Sequence, residues 1–302
     1  MASIRDLLSP VNDRDSNEPE ENERHGAAKI DDVPETTHFI VEFILDIICP
    51  YSYIGLKNLN AAIADYKTSH PEATFEVVCS PFLLDPLAAR SAYDKQIYLN
   101  LTKHTPSYFA DLGSPLGITF SWAGRTGSTR DAHKLLRFAL EASPTTARST
   151  AFASAPPPPP PASPPSPGRG PAQQLRLLEA LFAAHHTSDE DISSPSALAR
   201  AARAATGLPA AAVDSVLRDP QWDRALDALL AHVAAPRRGL RVRAVPTFIV
   251  NDRYVVGGSQ SPGFLVEEFE RMRLGRAGRE GGGTVLAAGG CGEIFGARGL
   301  LA

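Results

Sequence analysis

Apolar and polar positions divide the chain into a strand-rich opening, a long helical middle and a strand-rich close. Phe39-Ile-Val-Glu-Phe-Ile-Leu-Asp46 is an apolar, β-branched run of buried-strand length that leads through Ile47 and Ile48 into Cys49-Pro50-Tyr51-Ser52. From Tyr53 to Tyr66 the apolar positions Ile54, Leu56, Leu59, Ile63 and Tyr66 recur at helical spacing. A strand, a tight turn and a helix are predicted. Thr74 to Ser80 alternates, with Phe75, Val77 and Cys79 on one face, and predicts a second strand. Helical patterning then begins at Ala88. It predicts an amphipathic helix over 91–111, a helix opened by the capping box Ser128-Thr-Arg-Asp131 and carrying His133, and further helices over 171–185, 195–206, 209–217 and 220–233. Thr247 to Val250 turns at Asn251-Asp252 into another β-type run, the mark of a hairpin. The expected fold class is α/β, with a helical insert over about 88–233 between two sheet halves.

Cys49 falls at the strand-to-helix turn. Pro50 has no amide hydrogen and a pre-set φ, so it suits the first helical position and puts Cys49 at the N-cap. Unpaired amides and the positive end of the helix dipole favour an anion there, which for cysteine is the nucleophilic thiolate. The plainer reading, a small buried hydrophobe before a proline, is the usual fate of an isolated cysteine. Cys79 is expected in the core; where carboxyl ends of parallel strands converge it would instead approach Cys49 as a resolving thiol. Val245-Pro246-Thr247 enters the hairpin strand, a place where a cis-proline presents a backbone edge to a bound peptide. His133 is a candidate base weighed against a half-buried packing role.

The pair formed by Cys-Pro-x-x at the first helix and Val-Pro-Thr-Phe before the hairpin resembles thioredoxin-fold proteins of the DsbA family. Closer still is the FrnE-like branch, related to 2-hydroxychromene-2-carboxylate isomerases and kappa-class glutathione transferases. Tyr53-Ile54-Gly55 with Lys57, Pro81-Phe-Leu-Leu-Asp-Pro86, Gly127-Ser-Thr-Arg-Asp-Ala-His133 and Gly257-Gly-Ser-Gln-Ser-Pro262 follow in the same order, so the resemblance spans about 38–275. It implies a thioredoxin fold interrupted by a DsbA-like helical insert domain. It also implies a catalytic pair Cys49 and Ser52, with substrate or glutathione held by Pro50, Tyr51, Val245, Pro246, Ser259 and Gln260. Redox members carry a second cysteine where this chain has Ser52, so no disulfide can close across the turn. A single thiolate still attacks a disulfide and leaves a mixed disulfide for an outside thiol to resolve. The expected activity is monothiol oxidoreduction of a disulfide-bearing or glutathionylated substrate. Glutathione is the co-substrate and no cofactor is bound tightly. The alternatives are a glutathione-dependent transferase or isomerase of the kappa type, and a peptide-binding module without catalysis.

Composition narrows the setting. A length of 302 residues with 43% apolar side chains suffices for one large domain with a core, or for two small ones. Three cysteines cannot all pair within the chain, and neither a signal-peptide core nor a membrane-length apolar run appears, so a reducing, cytoplasmic location is expected. Residues 1–38 hold ten acidic and four basic side chains, a local charge of −6 within a total of −4, and read as a disordered acidic tail. The domain is expected over 39–275 and a Gly-rich flexible tail, carrying Cys291, over 276–302. The proline-rich stretch 155–171 is expected to loop out as an extended spacer, or else as a ligand for a proline-binding module. His185-His186 before Asp189, Glu190 and Asp191 lacks a second ligand cluster and reads as a helix end rather than a metal site. Arg237, Arg238, Arg241, Arg243 and Arg253 have no aromatic interleaving, so nucleic acid is not an expected partner.

Overall fold

A computed structural model of the chain describes residues 37–88, 92–141, 169–236, 241–275 and the pair 284–285. The acidic segment, Ser91, Arg237, Arg238, Cys291 and most of the proline-rich and Gly-rich stretches lie outside the described residues. Strand β1, His38–Leu45, is followed by helix α1, Pro50–Ser69, and strand β2, Thr74–Pro81. After the helical insert come β5, Thr247–Val250, β6, Tyr254–Gly257, helix α9, Pro262–Arg273, and the short β7, Thr284–Val285. The sheet order is β2-β1-β5-β6-β7. β1 runs parallel to β2 and antiparallel to β5, so the sheet is mixed rather than parallel. The hairpin explains why. A chain that reverses at Asn251-Asp252, both with positive φ, returns antiparallel beside its own strand. Pairing with β7 covers the outer edge of β6, so those two residues of the Gly-rich stretch join the sheet.

Alternating residues of β1 build the core between the sheet and α1 with α9. Phe39 stacks on Phe75 at 4.8 Å and meets Tyr66 of α1 and Phe269 of α9, while Phe43 stacks on Phe248 at 4.9 Å. Each such fully buried ring contributes roughly 1.5–3 kcal/mol.

Within the insert, a two-stranded ribbon joins β3, Tyr93–Asp94, to β4, Arg125–Thr126. Its helices are α2, Lys95–Thr102, α3, Pro106–Gly113, α4, Arg130–Leu140, α5, Pro171–His186, α6, Pro195–Thr206, α7, Ala210–Arg218, and α8, Pro220–Ala234. Two differ from the sequence reading. The stretch 91–111 is not one helix: Lys103 turns left-handed at φ 58°, and Thr105 caps a new helix whose first residue is Pro106. A proline inside a continuous helix lacks the amide that the ladder needs. The capping box at 128–131 does not close, because Ser128 Oγ accepts from Arg130 N at 3.4 Å and the helix begins there, with Thr129 as an unbonded cap.

Candidate functional site

The turn that carries Cys49 is built by backbone bonds before any side chain acts. Cys49 N donates to Asp46 O at 3.1 Å, closing the turn, and Ser52 N and Tyr53 N donate to Cys49 O at 3.0 and 3.3 Å, opening α1. Cys49 is the N-cap in extended conformation and Pro50 occupies the first helical turn, as predicted. The sulfur, however, is fully buried, with 0% exposure, and caps no helix amide. Its thiol instead donates to the carbonyl of Val245 at 3.7 Å.

That carbonyl precedes the Val245–Pro246 bond, which is cis. Gly258 N donates to Pro246 O at 2.9 Å and Thr247 Oγ1 to Ala244 O at 2.7 Å, so the proline loop is pinned on both sides. Gly55 lets α1 approach it. A Cβ there would stand 3.0 Å from Pro246 Cγ and 3.3 Å from a Phe248 ring carbon. Asn58, one turn further along α1, donates to Gln260 O at 2.8 Å, and the Gln260 amide closes its own loop on Gly257 O at 2.6 Å. The expected binding residue Gln260 is thus tied into the scaffold, while Ser259 is half-buried beside it.

Ser52 is also fully buried, and its Oγ has no hydrogen-bond partner. Pro50 is buried with it. Tyr51 donates to Tyr108 Oη at 3.2 Å and packs edge-on against Phe109. Cys79 is not brought to Cys49 by any described contact. It pairs with Phe43 in mid-strand, and burial pushes its thiol pKa far up, which keeps it protonated. Both cysteines are free thiols. Arg241, Arg243 and Arg253 are exposed, and Arg253 lies over the Tyr254 ring. Among the described residues no three His, Cys, Asp or Glu side chains converge as a metal would require, and no helix is long and apolar enough to cross a membrane.

Two histidines of the insert reach the turn. His133 of α4, almost fully buried, faces Asp46 with Nε2 3.5 Å from Oδ1, while Asp46 Oδ2 accepts from Leu84 N at 2.7 Å. His186, at the end of α5, bonds the carbonyl of Ile47 through Nε2 at 2.9 Å and stacks on Tyr53. Burial, and then the nearby Lys95 charge, bring its pKa down to about 3. The ring is therefore neutral near pH 7, and since a carbonyl only accepts, Nε2 carries the proton. His185, also buried, is likewise held well below the ordinary histidine value, by burial first and then by its neighbours His186 and Lys95. Neither role is visible in the sequence, where adjacent histidines on a helix have no partner until the fold supplies one.

A mixed sheet with a cysteine at the first helix, a cis-proline opposite it and helices inserted after the second strand defines a thioredoxin-fold protein with a helical insert. Residues 40–155 match the DSBA-like thioredoxin domain family. Among solved structures, a protein described as a probable DsbA oxidoreductase from Streptomyces coelicolor aligns with TM-score 0.59 at 20% identity, covering 83% of this chain and 100% of that one. A second solved structure, from Nitrosomonas europaea, aligns with TM-score 0.50 at 13% identity over 81% and 100% of the two chains. No curated protein matches the sequence.

Proposed function

We propose that the protein is a thiol–disulfide oxidoreductase of single-cysteine type, with Cys49 as nucleophile and glutathione as co-substrate in a reducing, cytoplasmic setting. The observation that carries this reading is the Cys49 sulfur 3.7 Å from the carbonyl before the cis-proline, with serine rather than cysteine three residues on. In a glutathionylated substrate the Cys49 thiolate attacks the glutathione sulfur. A Cys49–glutathione disulfide forms as the substrate's disulfide breaks, and the departing thiolate takes a proton from solvent. A second glutathione thiolate then attacks that mixed disulfide, which releases oxidised glutathione and restores Cys49. Because the sulfur is buried at rest, the substrate has to displace what covers it, and the Ala244–Val245 edge is where its backbone would lie.

The test is reduction of a glutathionylated peptide, coupled to glutathione reductase. Turnover by the wild type and none by Cys49→Ser is expected; equal rates in both proteins would refute the assignment. The buried, unpartnered hydroxyl of Ser52 favours one second reading, in which that hydroxyl or Cys49 holds the thiolate of bound glutathione for transfer to an electrophile. Glutathione-dependent conversion of a chlorinated aromatic substrate, without peptide turnover, would select it.

A further inference from the structure

The end of α5 is anchored more heavily than a helix C-terminus needs. Lys95, with its side chain 0% exposed, donates through Nζ to His185 O at 2.6 Å, to Ser121 O at 2.9 Å and to Asp189 Oδ1 at 2.8 Å. Ser121 closes the group: its backbone N donates to His186 O at 2.7 Å, and its Oγ to Asp189 Oδ2 at 2.6 Å. A buried ammonium persists only when its three donors are matched, and here two carbonyls and a carboxylate match them. The consequence falls on His186. Its main chain is tied to Ser121, its ring is sandwiched among Tyr53, Phe182, Phe120 and His185, and its Nε2 meets Ile47 O.

Ile47 is the second residue of the turn that Cys49 N closes on Asp46 O. Both donor and acceptor are buried, so loss of the imidazole N–H would leave the Ile47 carbonyl unpaired away from water. With the ring neutral, the Ile47 carbonyl selects the tautomer that carries the proton on Nε2.

We infer that His186 is a positioning residue for Cys49: anchored by the Lys95–Asp189–Ser121 group, it fixes the Ile47 carbonyl and with it the place of the sulfur against Val245. The inference rests on the reading of Cys49 as nucleophile, but the geometry it describes is measurable without any chemistry at sulfur. His186 touches no reacting atom and acts only through the turn.

Three variants of the full chain separate the donor from the ring. His186→Phe keeps a stacked ring and loses the donor, His186→Leu loses the donor at smaller volume should the phenyl ring not fit, and His186→Gln keeps an N–H. Amide hydrogen exchange at Ile48 and Cys49 and the rate constant of Cys49 with oxidised glutathione are measured, with thermal midpoints for each. His186→Phe or His186→Leu should speed exchange at both amides by at least about tenfold, the scale set by one orphaned buried carbonyl, while His186→Gln stays within about threefold of wild type. The rate constant should fall in the first two variants and recover in the third. Unchanged amide protection in the donor-less variants would overturn the inference. So would losses that follow the thermal midpoint alike in the Phe and Gln variants. Were wild-type Cys49 to take no glutathione at all, the functional reading would fall, and amide exchange would still decide the role of His186.

Discussion

At the scale of single residues, the site turns on what the Cys49 sulfur can bond. As a thiol it donates to Val245 O, an arrangement a thiolate cannot keep, because two electron-rich atoms would then face each other. Ser52 offers the alternative, a buried hydroxyl with no partner on the first turn of the same helix. Residues three apart on a helix are close neighbours, and two cysteines so placed lie within reach of a disulfide. Ser52→Cys should therefore form an internal disulfide in oxidising buffer and exchange with a model disulfide peptide in the absence of glutathione, on which the proposed wild-type reaction depends. Thiol titration and peptide exchange with and without glutathione check this. Failure to close that disulfide would show that the turn does not have thioredoxin-type geometry.

At the scale of elements, β2 is an edge strand, and α5 deals with its exposed ladder. The side chain of Gln174 accepts from Cys79 N at 2.8 Å and donates to Cys79 O at 3.1 Å, as a neighbouring strand would. Gln174→Leu leaves both backbone groups buried and unpaired, so a loss of about 2–4 kcal/mol is expected in urea unfolding. A loss below about 0.5 kcal/mol, the usual size of a neutral surface change, would contradict the role.

How far such elements can be read ahead depends on whether their signal is local. Helices at Pro195 and Pro220 begin where proline stands, as the pattern predicts, because the preference for proline in the first turn is a property of the chain itself. Pro106 carries the same signal inside the apolar spacing of 91–111, and a helix begins there as well. The Cys49–Pro50 cap and the cis bond at Pro246 were legible for that reason too. Gln174, His186 and Lys95 were not. Each is a polar side chain in a helical pattern whose partner lies about 90 residues away or more, at Cys79, Ile47 and His185. The bond that holds the Cys49 thiol belongs with them, since its acceptor Val245 lies 196 residues downstream.

At the scale of the whole molecule, two connections decide how the parts stay joined. α9 is locked to α1 through Glu270, which accepts from Tyr66 Oη at 3.1 Å, pairs with Arg273 and lies 3.3 Å from His70. Arg273 first, with help from Tyr66 and His70, lowers its pKa from 4.5 to about 2. A carboxyl depressed in the folded state contributes stability that is complete above 4.5 and is lost as pH falls toward 2. The wild type should thus lose stability on acidification through that window more steeply than Glu270→Gln, seen in urea midpoints taken across it. The group is partly exposed, so salt should shrink the difference. Parallel curves for the two proteins would count against the lock.

The other connection spans residues 142–168. Its ends meet: Arg169 donates to Phe138 O at 2.8 Å and to Glu141 O at 3.3 Å, and Gly170 N donates to Ala139 O at 3.0 Å. Replacing 142–168 by a short Gly-Ser linker should leave the thermal midpoint within a few degrees of wild type, since closure entropy changes only logarithmically with length. A large fall in the midpoint would show that the segment contributes to the fold.

The central proposal is that Cys49 is a nucleophile working with an outside thiol. Its most direct test is peptide-mapped mass spectrometry after incubation of the native protein with oxidised glutathione. The account predicts a single glutathione on Cys49, removed by reduced glutathione, with the buried Cys79 untouched. Glutathione found only on Cys79 or Cys291, or on no cysteine, would contradict it.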